Sequence, residues 1–381
     1  MPRFIALLIC FFSFVGISQA VTQNQACQQH HCLAVVDAGS TGTRLYLYSY
    51  DLDDSNNPIK INEISSKKIT PGFASLEQNQ ETINAYLTIL FAHTQAENIP
   101  VYFYATAGMR LLSHPRQQKY YQALQKWFAG QSQWQLADAK TITGSEEGLY
   151  GWLAVNYQLG TLSAADKNFV GVMDMGGASV QMVFPVQNAD GIDRNDLMEV
   201  DIYGQHLQLF VHSFLGLGQT VLSHQFLDSA NCFAIDYQLP NGISAQGDAL
   251  SCQRDISKLI NMVHGAGRIV KPAVAANPVN SWYVMGGLTT LLEDNTFHFE
   301  NQQFTSQSLL EQADKQICHK QWQELHAQYP DNDFVYGYCL YSAYYYALMV
   351  NGYGLQPQLP VKYLPSATNT NWSLGVVLHQ H

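Results

Sequence analysis

Apolar residues recur along this chain in short runs that end in an acidic residue and a turn of small side chains. The clearest run, Leu-Ala-Val-Val at 33–36, stops at Asp37 and gives way to Ala38, Gly39, Ser40, Thr41, Gly42 and Thr43. Residues 45–50 then alternate between apolar and aromatic. A short apolar run bounded by turn residues predicts a buried strand, so the segment reads as strand, tight turn, strand. The pattern returns at 169–184, F-V-G-V-M-D-M-G-G-A-S-V-Q-M-V-F. There an apolar run ends in Asp174, a turn of Gly176, Gly177, Ala178 and Ser179 follows, and 180–184 forms a second strand. Recurrence of one unit at domain spacing predicts two similar domains, each carrying one such hairpin.

The remaining periodicities fill in both domains. Residues 51–71 are polar and are expected to cross the surface. Ile83, Tyr86, Leu87, Leu90 and Phe91 fall on one side of a predicted helix over 75–94. A strand at 101–104 runs into the small-residue turn 105–110, and 115–128 reads as a helix. A strand end at Thr141 meets a helix that runs to 157, with Thr143 and Glu146 at capping-box spacing. Beyond the second hairpin come a polar loop (188–196), then 210–217, which ends in Gly216-Leu217-Gly218 and leads into a helix (219–227). Residues 282–292 read as strand, Gly-Gly turn and helix start, and helices are expected over 304–318 and 318–326. A tyrosine-rich stretch at 334–355, a Pro-containing link at 356–365 and a short helix opening at 371–375 close the chain.

Composition adds the class and the compartment. The chain has 381 residues, 47% of them hydrophobic and only 13% charged, enough for two well-filled cores. Residues 1–20 read as a secretory signal: Arg3, an apolar run at 4–17, and Ser18-Gln19-Ala20 as a cleavage site. No second long apolar run follows, so the mature protein is expected to be exported, periplasmic or secreted, and free of the membrane after cleavage. Cys10 leaves with the signal. Cys27, Cys32, Cys232, Cys252, Cys318 and Cys339 remain. Short loops close most easily, so the expected pairs are Cys27–Cys32, Cys232–Cys252 and Cys318–Cys339. The second pair would enclose an exposed flap. A metal site at Cys27, His30, His31 and Cys32 is the rival reading, disfavoured by an oxidising compartment. The net charge of −11 argues against a nucleic-acid surface, which needs a basic patch.

The turns carry the candidate chemistry. A tight turn of small residues aims backbone N–H groups and hydroxyls at one point, which suits a phosphate group. Asp37, at the strand end, is placed to hold a hydrated metal ion. With only 19 Lys and Arg in the chain, a polyphosphate would rest mainly on backbone N–H groups, hydroxyls and a divalent cation. At the helix start, Glu146 has a capping role. Glu147 points about 100° away around the helix and is free to act as a general base. Arg110 reads as a structural residue, in an ion pair or bonded to nearby backbone, in preference to a direct phosphate contact. Most of the tyrosines at 336, 338, 341, 344–346 and 353 read as packing, with one or two available to stack a nucleobase.

Five segments in order now carry a resemblance: D-A-G-S-T-G-T-R, Y-A-T-A-G-M-R-L-L, T-G-S-E-E-G-L-Y-G-W, D-M-G-G-A-S-V-Q and N-W-S-L-G. Together they resemble the apyrase conserved regions of the nucleoside triphosphate diphosphohydrolase family, within the actin, hexokinase and heat-shock ATPase superfamily. The resemblance spans the chain from about Val35 to Leu374. It implies an α/β fold of two ribonuclease-H-like domains, each a mixed sheet flanked by helices, with the active site in the interdomain cleft. Domain I would comprise 21–148 plus 361–381, and domain II 149–360. The implied activity is stepwise hydrolysis of nucleoside tri- and diphosphates to the monophosphate, by a monomer that depends on a divalent cation, Mg or Ca.

Carried onto these positions, the resemblance makes Glu147 the base that activates water. The first loop (Ser40, Thr41, Gly42, Thr43 and Arg44) and the second (Gly177, Ala178 and Ser179) would bind phosphate. Thr106, Ser179 and Gln181 would place the water. Asp37 and Asp174 would hold the metal through its waters, and Trp372 would support the site. Where the family has an aromatic-rich segment this chain reads V-M-G-G-L-T-T at 284–290, so Tyr338 and Tyr341 on the next aromatic helix are taken as the nucleobase platform. An exopolyphosphatase or guanosine-polyphosphate phosphatase of the same superfamily would share both loops but would favour a basic channel. A sugar kinase would sit poorly with export, where ATP is scarce. A non-catalytic nucleotide-binding module would not need the glutamate pair.

Overall fold

The structure is a computed structural model that describes residues 25–92, 97–163 and 168–380. The signal segment expected at 1–20 lies outside the described residues. The chain divides after Thr141 into two compact units. By packing, residues 142–148 and 361–380 belong to the second unit. The helices Gly144–Gln158 and Trp372–His379, buried over 147–156 and 372–378, pack on one another there. Trp152 Nε1 donates to the Val170 carbonyl at 2.8 Å and so ties the first of these helices to the sheet.

In the first unit, strands β1 (His31–Ala38), β2 (Thr43–Leu52), β3 (Pro58–Ile69), β4 (Ile99–Ala105) and β5 (Trp134–Thr141) form one sheet in the order β3-β2-β1-β4-β5. β1, β2 and β3 are antiparallel neighbours, whereas β4 runs parallel to β1 and β5 parallel to β4. Helices Gln80–Leu90 and His114–Phe128 bury Ile83, Leu87, Leu90, Tyr120 and Leu124 in a core shared with Ala34, Val36 and Phe103 of the sheet. The first of these helices starts at Gln80 because the Asn79 side chain accepts from the Thr82 N–H at 2.7 Å, an N-cap. β3 occupies much of the polar segment expected to cross the surface, for which no strand is expected. Ile59, Ile61, Ile64 and Ile69 intersperse with polar residues that an edge strand leaves in water.

In the second unit, β6 (Gly171–Met175), β7 (Ser179–Pro185), β8 (Leu197–Ile202), β9 (Gln205–Leu215), β10 (Trp282–Gly286), β11 (Gln303–Phe304) and β12 (Val361–Tyr363) are ordered β11-β12-β10-β6-β7-β9-β8. The plan of the first sheet repeats inside this one. A turn-bearing hairpin (β6–β7) sits centrally, an antiparallel strand (β9) lies on one side, and two parallel strands (β10, β12) lie on the other. The tyrosine-rich stretch is helical, and Tyr338, Tyr344, Tyr345 and Tyr353 are core residues. Disulfides join Cys27 to Cys32, Cys232 to Cys252 and Cys318 to Cys339. The first of them consumes both thiols of the rival metal site. The loop closed by the second has a continuous exposed tip at 240–244, while Phe233, Ala234, Leu239 and Ala245 anchor it in the core.

The capping box at the start of Gly144–Gln158 is complete. The Thr143 N–H donates to Glu146 Oε2 at 2.7 Å, and the Glu146 N–H donates to Thr143 Oγ1 at 3.1 Å. Thr143→Ala is expected to lower stability by about 1 kcal/mol, the usual worth of an N-cap, as read from the urea midpoint.

Candidate active site

The peptide unit is planar and trans, so a carbonyl and the N–H of the next residue point in opposite directions. In the second turn, the Gly176 carbonyl accepts from Gln219 N at 2.9 Å, the Gly177 carbonyl from Thr220 N at 2.9 Å, and the Ala178 carbonyl from Gly216 N at 2.9 Å. With those carbonyls turned inward, the N–H groups of Gly177, Ala178 and Ser179 are aimed the other way. The first turn uses the same device. The Ala38 carbonyl accepts from Thr106 N at 3.2 Å, and the oxygens nearest to a Cβ built on Gly72 are those of Gly39 and Ser40, at 2.5 and 2.6 Å. The N–H groups of Gly39, Ser40 and Thr41 therefore point away from that backing. Each turn presents a row of backbone donors, the geometry of an anion cradle.

The second unit adds a side-chain network. Gln181 lies opposite Ser213 in the β7–β9 ladder. Its buried Nε2 donates to Ser179 Oγ at 2.8 Å, Ser213 Oγ at 3.0 Å and Glu147 Oε2 at 3.2 Å. An amide NH2 has two hydrogens, so three acceptors compete for them, and the carboxylate, at the longest distance, is the least firmly held. Glu147 reaches this network because its neighbour has no side chain. A Cβ on Gly148 would stand 3.0 Å from Val183 Cγ2 and 3.2 Å from Gln181 Cβ. The helix thus docks flat on β7, and Glu147, 8% exposed in the first helical turn, lies beside Gln181.

The charged groups occupy equivalent places in the two hairpins. Asp37 pairs with Arg44 across β1 and β2, and Asp174 pairs with Gln181 across β6 and β7. Arg44 Nη1 lies 3.7 Å from Asp37 Oδ2. Across the β2–β3 ladder Arg44 faces Lys68, a residue that the pattern at 51–71 concealed. The Arg44 guanidinium, with partial burial, holds the Lys68 ammonium below the usual lysine range. No group of three His, Cys, Asp or Glu side chains suited to a metal ion exists among the described residues. Asp37 in the first unit and Asp174 in the second each bring one carboxylate to the start of a turn, and a single carboxylate can hold a hydrated ion through its waters.

Other expected site residues fall in different settings. Thr106 is buried at the end of β4, and Ser40 and Thr41 are accessible in the first turn beside a buried Gly42. Thr43 was expected among the phosphate ligands, but its hydroxyl faces the core. It accepts from Phe73 N at 3.1 Å and from the Tyr86 hydroxyl at 2.8 Å, and so holds the turn from behind. Trp372 is buried with its ring stacked on Tyr150, centroids 6.3 Å apart. Tyr338 is committed to the core, which takes it out of the nucleobase platform. Its hydroxyl donates to Asp294 Oδ2 at 2.7 Å, and its ring packs against Phe297 and Tyr341. Tyr341 is partly buried against the same core, and burial pushes its hydroxyl up to about 12. Ser213 and Lys68 were missed. Ser213 carries no motif, and only the strand register places it on Gln181.

The chain matches the model of the GDA1/CD39 (nucleoside phosphatase) family over residues 23–239 and 242–381. It is 25% identical to the ectonucleoside triphosphate diphosphohydrolase 1 of Mus musculus, over 95% of this chain and 83% of that protein. It is 28% identical to a nucleoside-triphosphatase of Pisum sativum, over 90% of this chain and 86% of that protein. Among solved structures, a nucleoside triphosphate hydrolase from Neospora caninum superposes with a TM-score of 0.65 at 15% identity, covering 96% of each chain. An Aquifex aeolicus member of the Ppx/GppA family gives a TM-score of 0.53 at 16% identity, with 92% of this chain and 97% of that one covered. These two structures share the fold.

Gly72 has φ −62° and ψ 146°, which alanine adopts without strain, so Gly72→Ala acts only by crowding the Gly39 and Ser40 carbonyls. It is expected to weaken pyrophosphate binding, measured by calorimetry, by about tenfold or more, because the donors of the first turn are displaced.

Proposed function

The chain belongs to the GDA1/CD39 nucleoside phosphatase family, and from that membership we propose that it is an exported apyrase. It would hydrolyse nucleoside tri- and diphosphates, ATP and ADP among them, to the monophosphate and phosphate. The observation that carries this reading is the Glu147–Gln181–Ser179 network beside a turn whose N–H groups are presented outward. It combines a base with donors for the developing charge, which hydrolysis of a phosphoric anhydride requires. The names of the mouse and pea relatives supply the substrate class.

In the proposed reaction, water attacks the terminal phosphorus in line with the departing oxygen. Its proton passes to Glu147, and the bond between the phosphorus and the bridging oxygen breaks. Charge spreads over the equatorial oxygens in the transition state, so most of the acceleration comes from positioning and electrostatics. Gln181 orients the Glu147 carboxylate through Nε2, and Ser179 and Thr106 help to place the water. The N–H groups of Gly39, Ser40 and Thr41, and of Gly177, Ala178 and Ser179, act on phosphate oxygens, with Arg44 adding a positive charge. A divalent cation, Mg or Ca, held through water by Asp37 and Asp174, would neutralise phosphate charge when bound. Trp372 supports the helix of Glu147 by stacking on Tyr150, and Tyr341 is the remaining candidate for the base. The monophosphate product has no anhydride bond and is the end point.

Export is supported by the three disulfides and by the ecto- prefix in the relatives' names. No helix among the described residues is long and apolar enough to cross a membrane.

Purified protein is expected to release phosphate from ATP and ADP but not from AMP, and to stop when a chelator removes the divalent cation. Glu147→Ala should cut kcat by about 10²–10⁴-fold, the worth of a general base, with little change in the thermal midpoint. Cleavage of long-chain polyphosphate with ADP left intact would replace this reading by the exopolyphosphatase one.

A further inference from the structure

We infer that Lys68 recognises substrate phosphate: with Arg44 it forms a two-charge patch at the first turn that a phosphate group completes. The inference rests on the reading of that turn as a phosphate cradle, and the geometry is that of the β2–β3 ladder. Arg44 and Lys68 are direct cross-strand partners, so both side chains leave the same face of the sheet. Like charges directly opposite one another destabilise a strand pair. The compensation within the protein is slight. Arg44 has Asp37 at 3.7 Å, longer than a normal hydrogen bond, and among the described residues Lys68 makes no ion pair.

The neighbouring lysine shows what a structural lysine does here. Lys67, one residue earlier and on the other face, gives its ammonium to the Ile89 carbonyl at the end of helix Gln80–Leu90. Lys68 instead runs along the phosphate turn. A Cβ on Gly42 would lie 3.4 Å from Lys68 Cε and 3.1 Å from the Ile69 carbonyl. The end of the lysine chain therefore lies over a residue of the turn itself. A flexible stem with three ammonium donors can follow a phosphate oxygen there, while the planar guanidinium of Arg44 stays beside Asp37.

The test compares Lys68→Met, Lys68→Arg and Lys67→Met with the unaltered protein. Inorganic pyrophosphate binding is measured by calorimetry with and without Mg, thermal unfolding without ligand, and KM for ADP. Lys68→Met should weaken pyrophosphate and raise KM for ADP by about tenfold, and flatten the salt dependence of binding. Its midpoint without ligand should stay level or rise, because a repulsion is removed. Lys68→Arg should restore most of the affinity. Lys67→Met should bind pyrophosphate normally and melt earlier. Undiminished binding by Lys68→Met, or a loss matched by a lower midpoint as in Lys67→Met, would overturn the assignment. Failure of the unaltered protein itself to bind pyrophosphate or hydrolyse ADP would instead remove the cradle reading on which it rests.

Discussion

Backbone pressed against backbone holds both turns in shape, and the candidate chemistry depends on it. Gly72 sits against the Gly39 and Ser40 carbonyls. A Cβ on Gly218 would lie 2.3 Å from Ala178 N and 2.4 Å from Gly177 C. These approaches are closer than any side chain allows. They let hydrogen-bonded or packed surfaces take up the carbonyl side of each turn, and the planarity of the peptide then commits the N–H side to the opposite direction. A chain with few cations thereby obtains directed positive ends of dipoles at little cost in net charge.

The first turn of helix Gly144–Gln158 divides labour between adjacent glutamates. Glu146 closes the capping box and fixes where the helix starts. That start determines where Glu147 lies on β7, and Gly148 determines how closely. Gln181 then links three elements through one amide group, so the position of the carboxylate is set by a cap, a missing side chain and a strand register together. None of these groups is in a loop, and a site on regular elements is held more tightly than one on loops.

The two hairpins share a plan, yet their equivalent positions have diverged. Asp37 faces Arg44, whereas Asp174 faces Gln181. Under the proposed function a cation at this position would meet phosphate charge, while a neutral amide hydrogen-bonds the neighbouring carboxylate without neutralising it. The difference follows from what each unit places nearby: Lys68 beside Arg44, and Glu147 beside Gln181.

The sequence by itself determined the repeated strand–Asp–turn–strand hairpins, the capping box that separates Glu146 from Glu147, the pairing of six cysteines and the family. These rest on local periodicity, on turn chemistry and on short loops, all of which are written in neighbouring residues. The sequence did not reveal that 58–69 is a strand, because an edge strand buries too little to show a strong pattern. It assigned Thr43 to phosphate because small hydroxylated residues look alike in a turn, and only packing shows that its hydroxyl serves Phe73 and Tyr86. It took Tyr338 for a stacking platform, whereas the bond to Asp294 holds it in the core. Ser213 and Lys68 became visible only through strand register. Register is a relation between distant segments, so the tertiary structure alone decided which residues stand beside Gln181 and Arg44.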